Sequence, residues 1–161
     1  MNRKHPSKSP GPEAVTRLTL TVFRLNGVLL NWGDRLVEPL ALTSARWQML
    51  GGIVLAGKPL TAPQIADAMG VTRQGAQKQL NLLLQQGLVA TRPNSAHRRS
   101  PLYVMTALGA DLYRRADALW RAQAEDLAAL IPAADARVAT STLDSMLRHL
   151  QTATSSLKTE S

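Results

Sequence analysis

Hydrophobic positions along the chain predict long helices at both ends and a run of shorter elements between them. From Glu13 to Pro39, apolar residues recur every three or four positions, which is the spacing of a helix face. The same spacing returns after Thr106 and continues, with a break at Ile131-Pro132, to about Leu150. Charged residues of both signs are mixed into these segments, as expected for helices that also face solvent.

The predicted first helix carries more apolar positions than a single core face needs. A helix with more than one apolar face usually packs against more than its own domain. A single chain would leave these positions in contact with water, so we expect a dimer. A heptad-like stripe comprises Leu18, Val22, Leu25, Leu29, Trp32 and Leu36, and Leu20, Phe23, Val28 and Val37 lie on other sides.

Capping residues predict three short helices in the middle of the chain. The first runs from Thr43 to Gly57, and its Gly51-Gly52 pair indicates either close packing against another helix or a local break. The second runs from Thr61 to Gly70 and opens with a capping box that Gln64 completes. The third runs from Thr72 to Gly87 and directs a polar side toward solvent: Arg73, Gln74, Gln77, Lys78, Asn81 and Gln85.

Two strand-like runs follow these helices. They extend from Leu88 to Arg92 and from Leu102 to Thr106, and the polar loop PNSAHRRSP between them predicts a hairpin. Helix, turn, helix and hairpin in this order is the winged helix-turn-helix arrangement. The predicted fold class is mainly α with a small β-hairpin wing, that is, a winged helix-turn-helix plus a helical dimerisation region.

These patterns divide the chain into five parts. Residues 1–12 are basic and rich in proline, and we interpret them as a disordered arm. Residues 13–40 form an N-terminal dimerisation helix, and residues 41–106 form the winged helix-turn-helix. Residues 107–151 form C-terminal dimerisation helices, and residues 152–161 form a flexible polar tail.

The distribution of charge suggests the partner. The chain has 161 residues and a formal net charge of +8, yet from Pro39 to Ala110 its only acid is Asp67. Surfaces that serve only solubility normally mix charges of both signs. Between Ala68 and Ala110 there is no acid, so the second helix of the helix-turn-helix and the basic hairpin fit a polyanion, and double-stranded DNA has grooves that accept such elements.

Residue types on the third short helix match the chemistry of DNA. Arg73 can bond bidentately to guanine, and Gln74 and Gln77 can bond bidentately to adenine. Thr72 lies at the positive end of the helix, where a phosphate is favoured. Lys78 is a candidate for a phosphate contact.

The hairpin tip supplies the other candidates. The adjacent Arg98 and Arg99 have no role in a core, so we expect them to contact the DNA backbone or minor groove. The predicted DNA-binding set is Thr61, Thr72, Arg73, Gln74, Gln77, Lys78, Arg92, His97, Arg98 and Arg99.

Several other functions find no support in the sequence. The chain has no cysteine, and its three histidines, His5, His97 and His149, lack the spacing of metal ligands. No nucleophile with a neighbouring base, glycine-rich phosphate loop or carboxylate pair points to an enzyme. No apolar run is long enough to cross a membrane, and no signal core follows the N-terminus. We therefore expect no metal or cofactor and a cytoplasmic location.

Three segments together resemble the MarR family of bacterial transcription regulators: LTSARWQML, LTAPQIADAMGVTRQGAQKQLNLLLQQGLV and RPNSAHRRSPLYVMTALG. The resemblance covers about residues 15 to 150. It implies an intertwined helical homodimer that binds short palindromic operators, usually as a repressor. Many members of the family release DNA when a small aromatic acid binds between the dimerisation and DNA-binding regions.

One family motif is only partly present. The family's wing commonly carries Asp-x-Arg, with the Asp nine residues before the Thr that caps the next helix. Counting back from Thr106 places His97 at the Asp position and Arg99 at the Arg position. The acid helps to orient the arginine in the family, so its replacement leaves the position of Arg99 open, and Arg98 can share its role.

For the effector, the resemblance directs attention to the junction of the first, second and post-wing helices. Trp32 and Trp47 could form walls there, and Arg46 could neutralise the carboxylate of an aromatic acid such as a salicylate. The alternative is that both tryptophans belong only to the core. For the whole protein, the alternative to a DNA-binding regulator is a winged helix that serves protein assembly.

Overall fold

The computed structural model describes residues 11–159 of the chain, with side chains described to residue 153. A single-turn 3-10 helix at Glu38–Leu40 follows the first helix. The predicted arm, residues 1–12, lies outside the described residues except for its last two positions. The main elements are α1 (Pro12–Val37), α2 (Ser44–Ala56), β1 (Leu60–Thr61), α3 (Ala62–Met69), α4 (Arg73–Gln85), β2 (Val89–Arg92), β3 (Leu102–Met105), α5 (Ala107–Leu130) and α6 (Ala133–Thr159).

The three strands form one antiparallel sheet in the order β1-β3-β2. β2 pairs with β3 from Val89 opposite Met105 to Arg92 opposite Leu102. β1 pairs with the other edge of β3, where Leu60 lies opposite Tyr103. The predicted hairpin is confirmed, and the third strand is an addition, because two residues are too few to show an alternating pattern.

The core lies between α2, α3, α4 and the sheet. Its largest fully buried side chains include Met49, Leu50, Ile65, Leu80 and Leu83. α2 continues without a break through Gly51 and Gly52. A Cβ atom on Gly52 would lie 3.1 Å from Cγ of Met69, so close packing accounts for this glycine and a local break is wrong.

The predicted helix ends are confirmed. Thr61 and Gln64 form the capping box of α3, and Thr72 Oγ1 accepts a 3.0 Å hydrogen bond from the amide of Gly75 at the start of α4. Gly70 and Gly87 both have positive φ, of 64° and 68°, which glycine adopts without strain. The threonine caps thus set where the two helices of the helix-turn-helix begin, and the glycine turns set where they end.

A hydrogen-bonded contact joins α1 to the start of α2. Ser44 is buried; its amide donates to Oδ1 of Asp34 at 2.6 Å, and its hydroxyl donates to the carbonyl of Leu30 at 2.8 Å. A Cβ atom on Gly33 would overlap the Ser44 hydroxyl, so glycine permits this approach. The long first helix is thus attached to the winged helix by directional bonds as well as by apolar packing.

A second contact joins the sheet to α5. The hydroxyl of Thr106 donates to the carbonyl of Gly87 at 2.7 Å and accepts from the amide of Gly109 at 3.0 Å, which confirms its predicted capping role. A Cβ atom on Gly109 would overlap the Leu88 carbonyl oxygen. This close backbone approach fixes the first turn of α5 against the base of the hairpin.

The chain separates into two compact units, residues up to Leu119 and residues from Trp120. The second unit consists of the C-terminal half of α5 and α6, with the predicted break after Leu130. α6 continues to Thr159, beyond the tail that we predicted from residue 152. Its apolar positions are largely exposed in the single chain: Val138, Leu143, Leu147 and Leu150.

Candidate nucleic-acid interface

Helix α4 has one buried side and one polar side, as the sequence predicts. Ala76, Leu80 and Leu83 are fully buried against the core. This burial orients the opposite side outward, and no acidic residue lies in the first turn of α4. The exposed residues on that side are Arg73, Gln74, Gln77, Lys78 and Asn81.

The N-terminus of α4 offers a site for an anion. Thr72 is exposed and has an extended backbone conformation, and its side chain caps the helix. The first amides of a helix have no partners within the helix and carry the positive end of its dipole. A phosphate placed beside Thr72 would meet these amides together with the side chain of Arg73.

Side-chain bonds organise the tip of the wing. The side-chain Nδ2 of Asn94 donates to the backbone carbonyl of Ser100 at 2.9 Å, and its Oδ1 accepts from the backbone amide of Ala96 at 3.1 Å. The amide of Ser100 also donates to the carbonyl of His97 at 2.9 Å, which closes a turn. Asn94 therefore braces both sides of the tip, a role that the sequence analysis did not assign.

The braced turn places the basic residues outward. Arg98 and Arg99 occupy the centre of the turn that runs from His97 to Ser100. The side chains of His97, Arg98 and Arg99 are all exposed. Arg92, at the end of β2, is exposed as well. The structure thus brings His97, Arg98 and Arg99 into one loop, with Arg92 on the strand that leads to it, and His97 occupies the position where the resemblance expects an aspartate.

Thr61 differs from the other predicted DNA contacts. It is buried, and its hydroxyl donates to Oε1 of Gln64 at 3.0 Å and accepts from the Gln64 amide at 3.4 Å. Thr61 therefore caps α3, and its buried hydroxyl is not exposed to a phosphate. A sequence pattern can identify a cap, but the depth at which the cap lies depends on packing.

Gln77 is exposed but is held in place by two other side chains. Its Nε2 atom lies 2.8 Å from the hydroxyl of Tyr103 and 2.9 Å from Oδ1 of Asn81. Tyr103 belongs to β3 and is buried, so this bond links the wing to α4. The sequence analysis missed Tyr103, because nothing in the local pattern shows which helix its hydroxyl reaches.

The residues predicted for an effector site lie within the first unit. Trp32 on α1 and both Arg46 and Trp47 on α2 are half-buried. Nε of Arg46 donates to Oγ1 of Thr43 at 3.3 Å, and Trp47 packs against the buried core. Trp47 therefore contributes to the core, as the alternative interpretation holds, and keeps a partly exposed surface beside Arg46.

Among residues 11–159, no group of three or more histidine or acidic side chains is arranged to hold a metal ion. Within that range no helix combines the length and the apolar character that crossing a membrane requires.

The fold is that of a winged helix-turn-helix protein, an arrangement that many DNA-binding transcription regulators share. Residues 42–100 match the family model described as MarR family. The matched range lies within the predicted winged helix-turn-helix, and the match confirms the resemblance to this family seen in the sequence.

Solved structures of regulators share this fold. The chain is similar to the Mycobacterium tuberculosis regulator MosR in complex with DNA, with a TM-score of 0.70 and 22% identity over 84% of this chain and 96% of that one. It is also similar to CouR from Rhodococcus jostii bound to p-coumaroyl-CoA, with a TM-score of 0.71 and 21% identity over 81% and 91%. At these identities the likeness concerns the fold.

Among curated sequences, uncharacterized proteins of Mycobacterium tuberculosis and Mycobacterium bovis are 42% identical to this chain over 97 residues. The match spans 60% of this chain and 66% of each relative, just under two thirds of their length.

The Asn94 brace leads to a prediction about the order of the wing tip. Replacing Asn94 with alanine removes the acceptor of the Ala96 amide, so hydrogen exchange at that amide should accelerate roughly fivefold, the value of one hydrogen bond. The melting temperature should barely change, because the tip is exposed. Amide exchange measured by NMR would check this, with Ser95→Ala as the matched control in the same loop. Equal protection of Ala96 in both variants would contradict the brace.

Proposed function

We propose that this protein is a dimeric, sequence-specific DNA-binding transcription regulator that acts as a repressor on a palindromic operator in the cytoplasm. The observation that carries the proposal is the acid-free outer side of α4 next to a braced basic wing tip. This surface provides hydrogen-bonding groups for base edges and cations for phosphates. Its function is one of binding, and we assign it no catalytic residue.

The exposed apolar residues of α1 support a dimer. Phe23 is 68% exposed and Val28 is 63% exposed in the single chain, and Leu20 and Leu25 are about half exposed. Leaving several large side chains of one helix in water is costly, since burying each would contribute about 1.5–3 kcal/mol. A second copy of the chain would cover them. Two winged helices would then read two half-sites about 34–36 Å apart, one turn of DNA.

A gel-shift assay with fragments from upstream of the protein's own gene tests this function. We expect a shift with at least one fragment that contains a near-palindrome, and a dimer in sedimentation at micromolar concentration. Each subunit exposes five cations on this surface: Arg73, Lys78, Arg92, Arg98 and Arg99. If the cations of one subunit or of both neutralise phosphates, the log–log dependence of affinity on salt should have a slope of roughly −4 to −9. Salt-insensitive binding, or a monomer, would contradict the proposal, whereas a dimer that shifts none of the fragments would favour a winged helix that serves protein assembly.

Arg73 and the wing arginines should contribute differently. Arg73→Ala should cost about 1–3 kcal/mol of operator binding and relax the preference at one base pair in each half-site. Arg99→Ala should weaken binding with a smaller change in preference, confined to A·T-rich flanks. A randomised operator library would measure both.

Arg114→Ala is the matched control for these variants, because Arg114 lies on α5 and pairs with Asp111 at 2.5 Å. It should leave affinity and preference unchanged. An equal loss on every sequence for Arg73→Ala would remove its reading role.

We also propose that a small aromatic acid binds beside Trp32, Trp47 and Arg46 and lowers DNA affinity. Support comes from the half-buried indoles, from Arg46, which precedes Trp47 on α2 and is also half-buried, and from CouR, a protein of the same fold that is bound to p-coumaroyl-CoA. A ligand can act in this way only if it binds the two states with different affinities.

Titration with a panel of aromatic acids, salicylate included, should quench tryptophan fluorescence saturably and reduce the gel shift over the same concentrations. Trp47→Phe should remove most of the quench, whereas Trp120→Phe, on the C-terminal half of α5, should retain it. If no acid of the panel changes fluorescence or operator affinity, this site is wrong, while the proposed DNA binding remains intact.

A further inference from the structure

The Gln77 side chain has less freedom than its exposed position suggests. A glutamine amide has one carbonyl oxygen and one nitrogen with two hydrogens. In this structure both hydrogens have acceptors, the hydroxyl of Tyr103 at 2.8 Å and Oδ1 of Asn81 at 2.9 Å. Only the carbonyl oxygen Oε1 remains available to a ligand.

This arrangement changes what Gln77 can recognise. The bidentate contact of glutamine with adenine needs a donor for N7 and an acceptor for the N6 amino group. With its nitrogen engaged, Gln77 lacks the donor. The described hydrogen bonds include none from the side chain of Gln74, so that residue keeps both groups for a base.

Tyr103 is the fixed point of the arrangement. Its side chain is 3% exposed, and its backbone lies on the central strand of the sheet, opposite Leu60 on one side and Thr91 on the other. A buried phenol on a central strand has little freedom to move. The bond therefore transmits the position of β3, and with it the wing, to the middle of α4.

We propose that Tyr103 and Asn81 are positioning residues that make Gln77 a one-point reader, whose Oε1 accepts a hydrogen bond from the exocyclic amino group of a base in the major groove. The proposal rests on the proposed DNA-binding function and deepens it. The glutamine side chain already loses conformational entropy when the protein folds. DNA binding therefore costs less side-chain entropy at this position. The contact should therefore add discrimination at one base pair in each half-site.

The first experiment uses the full-length protein and a randomised operator library. Gln77→Ala identifies the base pair concerned, where discrimination should fall by about threefold to tenfold, the value of one hydrogen bond. Tyr103→Phe should reduce discrimination at the same base pair. The double variant Gln77→Ala/Tyr103→Phe should be no worse there than Gln77→Ala alone, because the tyrosine acts through the glutamine.

Two further variants separate positioning from a general loss of stability. Asn81 is exposed, so Asn81→Ala should keep the fold and still broaden the preference at that base pair. Tyr113→Phe alters the chain's only other tyrosine, on α5, and should leave the preference unchanged. Thermal unfolding of each variant would show whether Tyr103→Phe remains folded, and Asn81→Ala carries the test if it does not.

A modified base distinguishes one-point from two-point reading. Replacing the purine of that base pair with its 7-deaza analogue removes N7 but keeps the amino group of the pair. Wild-type affinity should then change less than twofold, whereas a bidentate glutamine would lose about tenfold.

Three results would overturn the inference. The first is a large loss of wild-type affinity for the 7-deaza operator. The others are a Tyr103→Phe variant that changes the preference at a different base pair, or one that weakens binding equally on all sequences. A wild-type protein without any sequence preference would instead refute the proposed function itself, and the two failures are thereby distinguishable.

Discussion

The arrangement of the proposed DNA-binding surface depends on the burial of one side of α4. Ala76, Leu80 and Leu83 have no exposed surface, and burying each leucine contributes about 1.5–3 kcal/mol. Rotation of the helix by even a quarter of a turn would expose them, so the orientation of α4 is fixed. Arg73 and Lys78 lie on the outer side for this reason, and their exposure is a consequence of core packing.

Directional bonds then attach the winged helix to the long helices. Ser44 bonds to Leu30 and Asp34 of α1, and Thr106 bonds to the hairpin base as it caps α5. Hydrogen bonds of this kind tolerate little change in distance or angle. In the proposed dimer, a shift of α1 or α5 would therefore move the winged helix, α4 included, which is what the proposed effector at the junction of α1 and α2 needs.

Hydrogen bonds within the chain also organise the proposed DNA interface. Asn94 braces the wing tip, and Tyr103 and Asn81 hold Gln77. Ordering flexible side chains during folding lowers the entropy that binding must later remove. Cations such as Arg98 and Arg99 remain extended into solvent, which suits contacts with phosphates, whose positions vary little with sequence. The proposed surface thus combines a fixed side chain that can recognise a base, Gln77, with extended cations that attract phosphates.

The sequence by itself determined those features that neighbouring residues control. Caps such as Thr72, the hairpin and the buried stripe of α4 all follow from spacings of a few residues, and the resemblance of three segments to known sequences indicated the family. The tertiary structure decided the rest: the strand β1, the burial of Thr61, the continuity of α2 through Gly52, and the bond from Gln77 to Tyr103, 26 positions away. The physical reason is that local patterns fix the path of the backbone, whereas the partner of a polar side chain depends on how distant elements pack.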